Sequence, residues 1–340
     1  METPSPPVEQ LPFEFHGTAL EYFRIWLVNI FLTVLTLGIY SAWAKVRRKR
    51  YFYGNTRLHG ESFDYHGDPR KILKGRLLVV LVFAGYLGMT YLWPGVEGIF
   101  ALVFALLTPW LVVQSRMFNA HNSSYRNIRF HFVPNYREAY KVLLGLYLLS
   151  VLSLGVLLPY AEYRRYRFLI RNSAFGTTGC VFKGTAGAFY RTYLGAVGVF
   201  ILVLVVGGLV LWAYYFLAVP EAVFFLLLVL MPLLLLFGYA YLQAGITNLV
   251  LSQSLVGPHQ LCSTIRAPAL FALYLTNLLA IVLSFGLLLP WASLRLTRYR
   301  LQHLYLTVHG SLNDFVASTR QAVSAVGEEF GEFLGLDLGL

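Results

Sequence analysis

A chain of 340 residues that is 57% hydrophobic and only 13% charged is not an ordinary soluble domain, which carries about twice that charged fraction. The net charge of +11 invites a nucleic-acid reading, yet the 27 lysines and arginines avoid residues 77–115 and 192–265 altogether. The loops inside those windows, WPGVEG and AVPE, carry only Glu97 and Glu221, which is the positive-inside pattern of a polytopic membrane protein and predicts that they face away from the cytoplasm.

The first stretch, METPSPPVEQLP, is polar and proline-rich, without the basic n-region of a signal peptide, and residues 1–12 are expected to be disordered. FEFHGTALEYF then begins at Phe13, and its pattern returns as FDYHGDPRKIL at Phe63, FHFVPNYREAY at Phe130 and CVFKGTAGAFY at Cys180. Weaker copies begin at Leu261 and Leu312, and the spacings run 50, 67, 50, 81 and 51 residues. Short and long spacings alternate, so the larger unit holds two strands. Residues 13–129 form the first unit, 130–260 the second and 261–340 a truncated third. Within each copy, alternating apolar and polar residues predict a short strand. A helix follows, with Thr18, Asp68 or Asn135 as its N-cap. The strands are expected to pair with the residues just upstream, NTRLHG, NSSYRN and NSAFGT, as short cytoplasmic β-hairpins between helices. The recurring Asn-Thr or Asn-Ser pair has the composition of turn chemistry.

Apolar runs at Leu77–Trp93, Ile99–Val113, Val199–Leu217 and Val223–Leu242 are each close to the ~20 residues that cross a bilayer. The expected fold is therefore mainly α: a polytopic helical membrane protein with two internal repeats and a truncated third.

A sharper repetition lies in TLGIYSAWAKVRRKRYFYGNT from Thr36, SLGVLLPYAEYRRYRFLIRNS from Ser153 and SFGLLLPWASLRLTRYRLQHL from Ser284. In register, Trp43, Tyr160 and Trp291 coincide. Four residues on stand Arg47, Arg164 and Arg295, and three further on Arg50, Arg167 and Arg298. Spacing of four and then three puts ring and guanidinium groups on one helix face. The stretch LTLGIYSAWAKVRRKRYFYGNT, with the FxFxG strand before its helix, resembles the signature of the YjgN-like family of bacterial inner-membrane proteins. The resemblance covers essentially the whole chain, is strongest over residues 13–76, and implies an inner-membrane protein without assigned catalytic residues. The third copy departs from it, with His303-Leu304 where Asn-Thr is expected.

If all hairpins are cytoplasmic, segments 20–46, 136–163 and 267–295 begin and end on the same side. A re-entrant element, broken near the Leu-Gly step and returning as the aromatic-arginine helix, satisfies that. A full crossing by each segment is the alternative and places basic hairpins outside.

For chemistry, the triplicated arginines stand out. If the repeats pack about a pseudo-threefold axis, Arg47, Arg164 and Arg295 converge as an anion- or lipid-binding set, because the planar guanidinium pairs well with phosphate and carboxylate. The competing roles are lipid-phosphate contacts, helix C-terminal carbonyls and orientation. Asn29, Gln114, Gln243, Asn248 and Asn277 are polar at depth, suited to interhelical hydrogen bonds or to lining a polar path. The eight histidines and the two cysteines, Cys180 and Cys262, have no metal-site spacing. No nucleophile elbow, Walker loop or Rossmann fingerprint occurs. No cofactor or metal is expected, and nothing calls for an enzyme. Thr319–Leu334 reads as an amphipathic cytoplasmic helix.

Two functions fit: a pseudo-symmetric transporter or channel-like protein for a small anionic or lipid-like solute, or a scaffold whose cytoplasmic hairpins recruit a partner or anionic lipid. Anionic headgroups at the cytoplasmic leaflet are the expected partners, nucleic acid is not, and the expected location is the bacterial inner membrane with basic hairpins and C-terminus cytoplasmic.

Overall fold

Ten short strands and the helices between them make up the computed structural model, which describes residues 9–310 apart from 94 and 218–220, and omits the side chains of 217–228. The expected strand at Leu312 and the expected helix at Thr319–Leu334 lie outside the described residues. In chain order, β1 (Glu9–Phe15) leads into α1 (Ala19–Leu35), α2 (Ser41–Asn55) and β2 (Thr56–Leu58). Next come β3 (Glu61–Tyr65), α3 (Pro69–Leu92), α4 (Glu97–His121) and β4 (Ser123–Tyr125). Then follow β5 (Ile128–Phe132), α5 (Tyr136–Ala139), a π-helical stretch Tyr140–Gly145, α6 (Leu146–Leu152), α7 (Leu158–Arg171) and β6 (Ser173–Phe175). The fourth set is β7 (Thr178–Phe182), α8 (Ala186–Leu217), α9 (Glu221–Ser252) and β8 (Ser254–Val256). The fifth is β9 (His259–Ser263), α10 (Ala267–Leu283), α11 (Leu289–Gln302) and β10 (Leu304–Val308).

The hairpins β2–β3, β4–β5 and β6–β7 form where the sequence places them, through two-residue turns. They are not separate, which corrects the expectation of isolated hairpins between helices. All ten strands join into one closed barrel in the order β1-β10-β9-β8-β7-β6-β5-β4-β3-β2, antiparallel throughout. The reason is physical: an isolated two-stranded hairpin is marginal in water and exposes unpaired edges, whereas closure removes every edge. β1 begins at Glu9 rather than at Phe13. It pairs with β10 through Glu9↔Val308 to Pro12↔Tyr305, so the strand after His303 finds its partner at the other end of the chain.

The barrel is filled. Leu11, Leu58, Tyr125, Phe175, Leu306 and Val308 are buried in one cluster, with Phe13, Phe63, Ile128, Phe130, Val256 and Leu261 packed against it. Phe63 and Phe175 flank Tyr125 at 4.8 and 6.2 Å between ring centres, and the Tyr125 hydroxyl donates to the Leu58 carbonyl at 2.7 Å. Among the described residues, these side chains pack into the barrel's interior.

The aromatic-x-Gly signature has its cause at the point where each strand leaves the barrel. The last aromatic ring of the strand folds over the glycine two residues later, and a Cβ on Gly67 would lie 2.5 Å from the Tyr65 ring. Tyr65 is itself buried among Ala42, Val46, Ile72 and Phe118, so it cannot retreat. Gly67→Ala is expected to destabilise the protein by about 1–3 kcal/mol through overpacking. Gly54→Ala, where a Cβ meets open space, serves as the control; equal thermal midpoints for the two variants in detergent would refute this account.

The helix starts and ends are also local. Thr18, Asp68 and Asn135 accept the backbone N–H groups of Glu21, Arg70 and Glu138 as N-caps. The recurring asparagines end helices: Asn55, Asn122 and Asn172 each donate to the carbonyl four residues back, at 2.8, 2.9 and 2.7 Å. Their own carbonyls accept from His16, His66 and Val133, which ties the exit of each helix pair to its entry strand.

Five helix pairs therefore stand on one barrel. In every one, the second helix packs on the entry strand of the next: α2 on β3, α4 on β5, α7 on β7, α9 on β9 and α11 on β1. The second and fourth pairs are long and apolar, with Pro69–Leu92, Glu97–His121, Ala186–Phe216 and Val229–Ser252 long and apolar enough to cross a membrane. The other three break at a Leu-Gly or Phe-Gly step. Leu37, Leu154 and Phe285 adopt φ near +50°, and Gly38, Gly155 and Gly286 follow at +92°, +88° and +87°. Apolar residues with a side chain rarely adopt positive φ, so the turn is held by other groups. Thr36, Ser153 and Ser284 accept the N–H of Tyr40, Leu157 and Leu288 and start the returning helix. The tips Leu37, Leu154 and Phe285 are 95%, 95% and 97% exposed.

Candidate functional site

The returning helices α2, α7 and α11 carry the aromatic-arginine face. Arg164 lies 6.0 Å from the Tyr160 ring centre, donates to the Tyr160 hydroxyl at 3.1 Å and reaches Glu138 at 3.8 Å. Arg295 stacks on Trp291 at 5.1 Å and donates to Thr276 at 2.6 Å and to the Asn277 side-chain oxygen at 3.2 Å. Trp43 stacks instead on Tyr40 at 6.3 Å, and Arg47 is exposed with no hydrogen bond or ion pair among the described residues.

The second arginine of each set has other work. Arg50 donates to the Tyr65 carbonyl at 3.3 Å and Arg298 to the Gly17 carbonyl at 2.9 Å, so each pins its helix to the entry strand of the next pair. Arg167 donates to the Tyr163 hydroxyl on its own helix, and the Tyr163 ring packs on Phe182 of the next strand. The Tyr65 and Gly17 carbonyls precede α3 and α1, so they are not the helix C-terminal carbonyls considered above.

Barrel order fixes how these faces are arranged. The arginine-bearing pairs are the first, third and fifth of five; α1 meets α11, while long pairs separate the third from both. A ring of five has no threefold axis, so barrel order gives no threefold convergence of Arg47, Arg164 and Arg295.

The polar residues at depth also divide. Asn248 donates to the Ile265 carbonyl and accepts from Ser263 and from the Ile265 N–H, which joins α9 to the end of β9. Gln114 donates to the Tyr136 hydroxyl, and Gln243 is half-buried on α9. Asn277 donates to the Ala292 carbonyl at 3.2 Å, linking α10 to α11. Asn29 occupies the corresponding place on α1, is 8% exposed, and its side-chain oxygen is buried without a hydrogen-bond partner.

Sequence reasoning passed over a largely buried charge pair. Glu162 and Arg165 on α7 meet at 2.5 Å with side chains 12% exposed, and the Tyr147 hydroxyl of α6 donates to the other Glu162 oxygen. The guanidinium lies 4.6 Å from the Tyr166 ring centre. An open apolar groove of ≈ 370 Å³, lined by Tyr147, Ser150, Val151, Leu154, Gly155 and Leu158, runs beside the tyrosine. A signal existed: in the aligned arms Lys45, Glu162 and Ser293 share one position, and the acid breaks an otherwise basic arm. In the barrel wall, burial pushes the Cys180 thiol up to about 11, and burial with Arg129 beside it holds the His131 imidazole below its usual value. Neither group is suited to nucleophilic or anion-holding work near neutral pH.

Fold and site together define an integral membrane protein in which helix pairs stand on a closed, filled β-barrel. Residues 10–333 match the family described as bacterial protein of unknown function (DUF898), and the chain belongs to that family. It is 30% identical over 144 residues to inner membrane protein YjgN of Escherichia coli O157:H7, covering 42% of this chain and 36% of that protein. It is 32% identical over 146 residues to inner membrane protein YjgN of Salmonella typhimurium strain LT2, covering 42% and 37%. The matches thus span just over a third of each relative's length. No solved structure matches.

Proposed function

We propose that this inner-membrane protein binds anionic lipid headgroups at the cytoplasmic leaflet and handles a lipid-like solute along the outside of its helix pairs. The observation that carries the reading is the filled barrel, whose apolar interior leaves the rim, where the aromatic-arginine arms stand, as the place for polar ligands. The barrel lies in the cytoplasm by the charge rule, the long pairs span, and the three broken pairs enter the membrane from that side with apolar tips first. One broken pair and one long pair together make the repeating unit, with the fifth pair opening the truncated third. The same filled barrel also suits the scaffold reading, in which headgroups are held without being moved.

Native mass spectrometry of the protein in mild detergent tests the binding. Retained anionic phospholipid is expected on the wild type and its loss on the triple variant Arg47→Ala, Arg164→Ala, Arg295→Ala. Identical spectra with no retained lipid would remove the proposal.

A further inference from the structure

The first and fifth helix pairs are built to one plan, and they differ at the junction around the arginine. Both have arms of the same placement: Asn29, Trp43 and Arg47 in one correspond to Asn277, Trp291 and Arg295 in the other, at a constant offset in the chain. In the fifth pair the junction is shut. Arg295 lies over Trp291 and donates to Thr276 and to the Asn277 side-chain oxygen, so its charge is taken up by its own neighbours. In the third pair Arg164 is likewise engaged, by Tyr160 and Glu138.

The first pair keeps the asparagine, the tryptophan and the arginine, but Val28 stands where the fifth pair has Thr276. Arg47 points into the surroundings, and the Asn29 oxygen that matches its partner in the fifth pair is buried with nothing donating to it. A buried acceptor without a donor is costly, and a guanidinium with its five donors unused is the natural group to satisfy it. An exposed arginine on a basic arm is also what a phosphate diester recognises, through paired N–H···O bonds. Neighbouring Arg48 is exposed as well, so the local field favours an anion.

We infer that Arg47 and Asn29 form a latch, open in the first pair and closed in the fifth, and that open Arg47 is the phosphate-binding arginine of the protein. Asn29 and an anionic phosphate compete for the same guanidinium: inward, Arg47 closes on Asn29 as Arg295 closes on Asn277; outward, it holds a phosphate. This rests on the headgroup-binding reading and narrows it from three arginines to one.

The test uses the full chain in mild detergent, titrated with phosphatidylglycerol and, separately, with inorganic phosphate, and read by native mass spectrometry, where the two adducts differ in mass. The wild type takes up one phosphatidylglycerol. Arg47→Ala weakens binding about tenfold, the loss of a charge-assisted pair, while Arg164→Ala and Arg295→Ala leave it unchanged. Arg47 is exposed, so its removal leaves the fold intact. Asn29→Leu removes the competitor and leaves binding equal or tighter. Thr276→Ala with Asn277→Leu frees Arg295 and adds a second bound lipid.

The latch is overturned if Arg47→Ala and Arg295→Ala weaken binding equally, or if Asn29→Leu weakens it; lipid bound by the wild type would then still support the broader reading. Inorganic phosphate bound in an Arg47-dependent way without lipid keeps the site and overturns the headgroup. A wild type that takes up neither probe overturns both.

Discussion

Arg165→Met is expected to destabilise the protein by about 3–5 kcal/mol, because it strips the counter-ion from a carboxylate that the fold has taken out of water. Glu162 would retain only the Tyr147 hydroxyl, and the cation beside the Tyr166 ring would be gone. The pair is not thereby a source of net stability. The Arg165 Nε is buried without a hydrogen-bond partner, so even the intact pair is incompletely satisfied. Replacing both residues, Glu162→Met with Arg165→Met, is therefore expected to recover most of the loss. A double-mutant cycle on thermal midpoints in detergent measures this coupling. If Arg165→Met melts with the wild type, the pair is not buried as described. If the double variant is as unstable as Arg165→Met alone, uncompensated charge is not the cause of the loss.

The comparison of sequence with structure follows the range of each interaction. Features set within a few residues were legible: the N-caps Thr18, Asp68 and Asn135, the hairpin turns, the breaks at Leu37-Gly38, Leu154-Gly155 and Phe285-Gly286, and the apolar spans. Each depends on a cap, a turn or a periodicity that neighbouring residues determine. The barrel was not legible as a barrel. Its closing pairs, β1 with β10 and β3 with β4, join strands a whole helix pair or nearly the whole chain apart, and a three-residue strand such as Ser123–Tyr125 is too short to declare a partner. The consequence reached the site. Counting the aromatic-arginine arms suggested three units converging, whereas closure sets them at three of five positions. Which arginines are engaged was only partly legible: Thr276, which holds Arg295, has Val28 at the matching position of the first pair, but that the two residues meet is set by how α10 and α11 pack.

Phe175→Ala is expected to cost about 3–5 kcal/mol, the usual range for emptying a phenylalanine site in a well-packed core. Phe175 stands in the aromatic part of the barrel interior, with Phe130 at 5.0 Å and Tyr125 at 6.2 Å between ring centres. Its loss should not stay local. Tyr125 leans on Phe175 and donates its hydroxyl to Leu58, so a cavity beside it loosens the wall that carries the first two helix pairs as well as the third. Phe31→Ala is the matched control: the same atoms are removed from α1, at a ring that is 65% exposed within the protein, and the expected cost in detergent is under about 0.5 kcal/mol. Thermal midpoints separate the two, and limited proteolysis reads the spread, because cleavage in Phe175→Ala should appear in the turns of several strand pairs together. Equal midpoints for the two variants would mean that the barrel is not the shared core. A large loss for Phe175→Ala with cleavage confined to the turn between β6 and β7 would mean that each helix pair stands on its own strands, and that the closed ring does not make them one body.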